Sequence, residues 1–286
     1  MSELLKVATL QFAMSPDSQK NIQLGKELVI EAAKNGARLI LLPELFATPY
    51  FCKKQKAQYL ELAHEVKDNP ILATFSQLAK ECNVVLPVSF FERSGQCYFN
   101  SLAMVDATGE ILEVYRKSHI PDGPGYQEKF YFSPGDTGFK VWQTQVGRIG
   151  CGICWDQWFP EVARIMTLMG AEVLCYPTAI GSEPQDASID SKSHWQMAMR
   201  GHAAANIIPV IASNRIGQEC DDDVCINFYG SSFVSDHRGE FITESPRDKQ
   251  IIQYAELDLQ ATNQYRRSWG LFRDRRPELY KRLLDL

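Results

Sequence analysis

Leu5-Lys-Val-Ala-Thr-Leu-Gln-Phe-Ala13, then residues 18–34, then Arg38-Leu-Ile-Leu-Leu42, follow one another near the start of the chain, and their order carries the fold. The first is an apolar run that reads as a strand. The second places Leu24, Leu28 and Ala32 on one face with Val29 and Ala33 and is stopped by Gly36, so it reads as a helix. The third reads as a buried strand. Leu72, Phe75, Leu78, Ala79 and Cys82 recur at helical spacing, and the run 84–91 reads as the next strand. This βαβαβ beginning predicts a strongly mixed or parallel sheet with helices packed on it.

Working outward, the pattern changes after residue 91. The runs 98–105 and 111–116 flank Asp106-Ala-Thr-Gly109 and predict a hairpin, and 228–235 with 240–242 predict a second around Asp236-His-Arg-Gly239. Strands are expected near 148–153, 172–176 and 207–212, with helices over 160–169 and 192–206. Long Gly-, Pro-, Asp- and Ser-rich loops at 121–126, 133–138 and 181–189 either connect elements or carry function. No repeat, low-complexity tract or linker divides the chain, so residues 1–286 are expected to form one domain. Its tail, about 262–286, mixes Trp269 and Phe272 with arginines, which suits a subunit interface or a solvated terminal helix.

Composition narrows the class. The 286 residues carry 30 Lys plus Arg against 35 Asp plus Glu, a net charge of −5, which argues against a nucleic-acid binder relying on a basic surface. Hydrophobic residues at 45% and charged residues at 23% point to an ordinary compact protein. The start, with Glu3 and Lys6, lacks the layout of an export signal, and the most apolar stretch, 39–51, is interrupted by Pro43, Glu44 and Pro49, so no membrane anchor is expected. The eight cysteines then read as reduced thiols in a cytoplasmic protein.

Three residues at strand ends attract attention. Cys154 closes the run 148–153, and Pro160 just beyond predicts a helix start whose dipole would favour a thiolate. Taken alone, Cys154 reads as a small buried hydrophobe. Cys151-Gly-Ile-Cys154 also fits a redox C-x-x-C, although strand alternation would point the two thiols to opposite faces, and the remaining cysteines and histidines form no familiar zinc spacing. Glu44 follows the buried strand, where burial would make it a usable base; alone it reads as a loop acid. Lys117 ends the run 111–116 and alone reads as a surface lysine. Together an acid, an amine and a thiol are the set needed to deprotonate a nucleophile, attack a carbonyl and stabilise an oxyanion.

Leu42-Pro-Glu44, Arg116-Lys117-Ser-His-Ile-Pro121 and Gly150-Cys-Gly-Ile-Cys154-Trp-Asp156, in that order, resemble the three signature segments of the nitrilase superfamily of carbon–nitrogen hydrolases. The segments 119–139, 154–161, 176–186 and 269–280 are similar to the branch of that superfamily acting on N-carbamoylputrescine. The resemblance implies an α/β fold, an αββα sandwich that pairs into a four-layered αββα-αββα dimer, and a homo-oligomer built from dimers. It also implies Glu44 as base, Lys117 as oxyanion partner, Cys154 as nucleophile and Glu128 as a second glutamate positioning Lys117 or the substrate, with no metal or organic cofactor. For a small ureido amine substrate, Glu183 and Asp186 are candidate partners of the ammonium, or else a solvent-facing acidic loop. Tyr50 and Trp155 would line the aliphatic stem or serve packing. A relative acting on N-carbamoyl-β-alanine would need a cation in the loop 178–189, where no Lys or Arg occurs.

Overall fold

The computed structural model describes residues 4–285; Met1, Ser2 and Glu3, part of the start read as lacking an export signal, and Leu286 lie outside the described residues. The opening supersecondary unit forms as expected. Strand β1 (Leu5–Gln11), helix α1 (Ser18–Lys34), strand β2 (Leu39–Leu41), helix α2 (Pro70–Cys82) and strand β3 (Leu86–Ser94) follow in order, then the hairpin β4 (Cys97–Val105) and β5 (Ile111–Arg116). Asp17 caps α1 by accepting from the Gln19 and Lys20 N–H groups, and Asn69 with Pro70 at the first helical position does the same for α2. β1 and β2 are parallel, and Arg38 and Ile40 hydrogen-bond Val85, so the ladder continues from β2 toward β3.

The second half repeats the layering. Strands β6 (Val141–Thr144) and β7 (Gly147–Cys151), helix α3 (Pro160–Leu168), strand β8 (Val173–Thr178), helix α4 (Lys192–Asn206) and strand β9 (Val210–Asn214) precede an outlying hairpin, β10 (Ile216–Asp221) and β11 (Val224–Tyr229). Strands β12 (Phe233–Ser235), β13 (Phe241–Glu244) and β14 (Ile251–Leu257) and helix α5 (Leu259–Trp269) complete the chain. One mixed sheet runs β14-β1-β2 and on through β3-β4-β5; the other runs β13-β12-β9-β8-β7-β6.

Strand alternation explains why these sheets stack. In β8, Val173 and Cys175 enter the core between the sheets, while Leu174 and Tyr176 enter the core under α3 and α4. In β1 and β2 likewise, Val7, Leu39 and Leu41 face the other sheet and Ala8, Leu10 and Ile40 face α1 and α2. Three apolar layers thus separate four structural ones, helix, sheet, sheet, helix, which is the αββα sandwich. The two hairpins of the sequence reading fall in different sheets.

Three expectations need correction. The run 228–235 is not one strand: Gly230 and Ser231 take positive φ values of 52° and 57° and turn the chain, ending β11 and starting β12 in another sheet. Strands β6, β10 and β14 were not foreseen. Cys220 and Cys225, expected to be reduced, lie opposite one another across β10 and β11 and form a disulfide; the other six cysteines are free. No helix among the described residues is long and apolar enough to cross a membrane.

Candidate active site

The ends of strands from both sheets bring Glu44, Lys117 and Cys154 together where the sheets meet. Glu44 lies just past β2, fully buried, its N–H donating to the Thr178 carbonyl at the end of β8 at 3.4 Å. Its Oε1 accepts from Lys117 Nζ at 2.8 Å and from Asn100 Nδ2 at 2.7 Å, while its Oε2 has no hydrogen-bond partner among the described residues. A buried carboxylate oxygen left open is costly unless something else uses it.

Lys117 directly follows β5 and is 1% exposed. Its backbone is held on both sides: its N–H donates to Asn100 O at 2.8 Å, and its carbonyl accepts from Gly135 N at 2.8 Å. Only glycine fits there, because a Cβ on residue 135 would stand 2.0 Å from Arg116 O. The loop 133–138 therefore has a function, which is to brace the lysine. Lys117 Nζ also donates to Glu128 Oε2 at 2.7 Å, and Tyr50 donates its hydroxyl to Glu128 Oε1 at 2.8 Å.

This buried group holds two carboxylates and one ammonium, so it is one positive charge short. Burial pushes Glu128 up to about 7 against the pull of Lys117, with Glu44 adding to the rise. Burial alone would lower Lys117, but Glu128 and Glu44 overcome it and hold the ammonium well above its ordinary range.

Cys154 is 6% exposed at φ 42°, a left-handed conformation unusual for a side chain with a Cβ. The turn Cys154–Trp158 holds it there through Asp156, which is fully buried. Asp156 Oδ2 accepts from Ile153 N at 2.9 Å and Tyr115 OH at 2.8 Å, and Oδ1 accepts from His119 N at 3.0 Å. The His119 ring, stacked on Phe159 at 3.7 Å between centroids, places Nδ1 2.8 Å from the same oxygen. Strain of this kind persists only where the surroundings over-determine it.

The expected thiolate is not what this environment favours. Helix α3 begins only at Pro160, so its dipole does not reach Cys154 directly. Burial pushes the thiol well above its ordinary value, Glu44 and Glu128 push the same way, and Lys117 opposes them. Cys154 rests as a thiol. Cys151 and Cys154 do not point to opposite faces, since both belong to the core between the sheets, but Cys151 is fully buried opposite Cys175 across β7 and β8 and does not line the cavity that Cys154 reaches. Neither Cys151 nor Cys154 is in a disulfide, and no group of three or more His, Cys, Asp or Glu among the described residues could hold a metal ion.

Cys154 and Glu128 lie on the wall of a cavity of about 530 Å³ whose lining is dominated by Trp155, Trp158, Tyr126, Pro121, Pro124 and Ile180. Of the candidate substrate residues, Trp155 and Glu183 line it. Tyr50 does not: it is fully buried and serves Glu128 from behind. Asp186 does not either, because its Oδ1 accepts from the N–H and hydroxyl of Ser188 at 2.9 and 2.6 Å within its own loop. Sequence reasoning missed His194, from α4, which packs 4.9 Å from Trp158, and Gln157, whose Oε1 accepts from Trp195 Nε1 and Thr178 Oγ1. Gln157 could have been suspected from its place in the turn after Cys154; His194 has no local signal. Asp122 also lines the cavity.

Comparison with known proteins agrees with this geometry. The chain is 54% identical to citrullinase of Francisella tularensis subsp. tularensis, over 98% of both proteins. It is 52% identical to N-carbamoylputrescine amidase of Arabidopsis thaliana, over 98% of this chain and 95% of the plant enzyme. The crystal structure of a carbon-nitrogen hydrolase from Helicobacter pylori G27 superposes with a TM-score of 0.94 at 42% identity, covering 99% of each chain. The sequence pattern described as carbon-nitrogen hydrolase matches residues 6–267. With strand ends from two stacked sheets gathering a buried thiol, acid and amine, of which the thiol reaches the cavity wall, the chain belongs to the carbon–nitrogen hydrolase family and is a hydrolase of non-peptide carbon–nitrogen bonds.

Proposed function

We propose that the protein hydrolyses the ureido bond of N-carbamoylputrescine to putrescine, ammonia and carbon dioxide, a step of polyamine biosynthesis in the cytoplasm. The observation that carries the substrate is the cavity wall: it holds Glu183 and Asp122 and, among the described residues, neither lysine nor arginine. Such a wall suits a substrate with a neutral reacting end and a distal ammonium.

In this reading Glu44 Oε2 takes the proton of the Cys154 thiol as sulfur attacks the ureido carbon, so no standing thiolate is required. Lys117 and the backbone N–H near Trp155 hold the developing oxyanion. The protonated Glu44 returns its proton to the departing nitrogen, and ammonia leaves a thiocarbamoyl enzyme. Water then gives a proton to Glu44 and attacks the same carbon; the carbon–sulfur bond breaks, the thiol regains its proton, and the released carbamate decomposes to carbon dioxide and putrescine. Glu128 keeps Lys117 charged and in place.

The test is ammonia release from N-carbamoylputrescine, citrulline and N-carbamoyl-β-alanine, with Cys154→Ala as control. Turnover of the first substrate above the other two, absent from the control, is expected. The similarity to citrullinase makes citrulline the second reading; its carboxylate would find no lysine or arginine on the wall. Citrulline preferred over N-carbamoylputrescine would overturn the amine assignment.

The ammonium is assigned to Glu183. Glu183→Gln is expected to raise KM for N-carbamoylputrescine by about 10-fold to 100-fold, the worth of one charge-assisted hydrogen bond, with little change for an uncharged alkylurea. Equal changes for both ureides would remove the role.

The tail supports a homo-oligomer built from dimers. Its described residues, 262–285, expose Trp269 at 60%, Leu279 at 65% and Leu284 at 88%, apolar area that a second copy would cover. Light scattering should give a multiple of the 32.4 kDa chain mass, falling to a smaller species in Trp269→Glu with Leu279→Glu; a wild-type monomer sinks this expectation.

A further inference from the structure

Arg215 and Glu219 form a buried ion pair that the chemistry proposed above leaves unused. Arg215 joins β9 to β10 and is fully buried, and Glu219, on β10, is 6% exposed. Arg215 Nη1 and Glu219 Oε1 are 2.8 Å apart. Neither residue belongs to the wall of the cavity that contains Cys154.

What the pair does hold is the backbone of the segment from Glu44 to Tyr50. Arg215 Nη2 donates to Glu44 O at 2.6 Å and to Leu45 O at 3.1 Å, and Nη1 donates to Thr48 O at 3.3 Å. Glu219 Oε2 accepts from Tyr50 N at 2.6 Å and lies 3.8 Å from Lys53 Nζ. Leu45, between these anchors, has φ 47°, and its N–H is fixed to Ser89 Oγ at 3.0 Å.

Both ends of this segment lead to the carboxylates around Lys117. At one end is Glu44 itself. At the other, Tyr50 donates its hydroxyl to Glu128 Oε1. The guanidinium fork reaches carbonyls that a point-charge ammonium could not satisfy together.

We propose that Arg215, locked by Glu219, is a positioning residue for the reaction: it sets the backbone of the Glu44 to Tyr50 segment and thereby aims Glu44 Oε2 and orients Glu128. The proposal rests on the reading of Glu44 as the base. The segment's own turn supplies one backbone hydrogen bond, Thr48 N to Leu45 O at 3.1 Å, and the four backbone groups anchored by Arg215 and Glu219 are the external clamp that holds the strained stretch around it.

The experiment compares Arg215→Lys and Glu219→Gln, each alone and combined with Glu44→Gln, for kcat, KM, the rate of Cys154 alkylation by iodoacetamide, and the thermal midpoint. Arg215→Lys in the otherwise native protein should lower kcat and the alkylation rate together by about 100-fold, the size of effect that a misplacement near 1 Å produces, with KM within about 2-fold. In the Glu44→Gln background the same change should cost far less, since the carboxylate it aims is gone and only the route through Tyr50 and Glu128 remains. A lowered thermal midpoint with native kcat and alkylation rate in the folded protein would make the pair merely structural and overturn the proposal, as would equal losses in both backgrounds. If Arg215→Lys does not fold, Glu219→Gln, which keeps the arginine, decides by the same measurements. Full turnover in Glu44→Gln alone would refute the base assignment itself, a failure distinct from that of the clamp.

Discussion

Lys117→Met is expected to abolish measurable turnover and to cost about 3–5 kcal/mol of stability, the penalty for removing one partner of a buried charge cluster. Lys117 Nζ is the shared partner of Glu44 Oε1 and Glu128 Oε2, so its loss leaves two buried carboxylates facing each other without a counter-charge. Two controls separate the effects. Adding Glu128→Gln should recover most of the stability and none of the activity, because it removes the repulsion but does not restore a cation for the oxyanion. The defect should also shrink with falling pH. Glu128 is already raised above the ordinary carboxylate range by burial, and losing Lys117 raises it further; a folded-state pKa above the unfolded one means the folded protein binds more protons, so stability is gained as pH falls through the folded value toward the unfolded one. Chemical denaturation of the single and double variants at several pH values checks both points, and a Lys117→Met protein as stable as wild type at neutral pH would contradict the cluster.

Glu44→Gln should separate chemistry from architecture more cleanly. Gln Oε1 can still accept from Lys117 and Asn100, so the fold and KM should be nearly unchanged while kcat falls by about 10³-fold or more, the scale of lost general base catalysis. Alkylation of Cys154 by iodoacetamide should slow as well, since the resting thiol depends on a neighbouring base to lose its proton. Removal of the Glu44 charge also removes one of the influences raising Glu128, so that carboxyl should titrate lower in the variant, readable by the carbon-13 shift of a labelled glutamate. A fast-alkylating, fully active Glu44→Gln protein would assign the base elsewhere.

Much of this was legible along the chain because the relevant signals are local. Helices α1 and α2 announce themselves by apolar spacing, and β1 and β2 by short apolar runs bounded by turn residues. Strand β14 was not legible: it pairs with β1 from the far end of the chain, and pairing at such separation leaves no local trace. The kink at Gly230 and Ser231 hid because the residues around it are good strand formers. Glu44, Lys117 and Cys154 could each be placed at a strand end, but their convergence depends on how two sheets stack, and the family resemblance supplied that.

Two of the candidate substrate residues lie off the cavity wall for identifiable reasons. Asp186 looked like a ligand because it is acidic and in the right loop, yet Asp-Ala-Ser is also a sequence that folds back on its own backbone, and it does so here. Tyr50 looked like a wall residue because it is aromatic and near Glu44, whereas its buried hydroxyl needs a partner and finds Glu128. Arg215 and His194 carry no motif, so only three-dimensional packing reveals them.

The location of the site between the two sheets also says where the molecule can be altered without cost to turnover. Glu44 and Lys117 ride on one sheet and Cys154 on the other, so their alignment is a property of the shared interior that includes Leu39, Ile153 and Cys175. Changing the volume there would shift Cys154 against Glu44 even where the protein still folds. The helices are on the outside of each sheet, one layer removed. Substitutions that stabilise α1 or α2 should therefore raise heat resistance while leaving the rate untouched, which makes the outer layers the place to begin in hardening this enzyme for use.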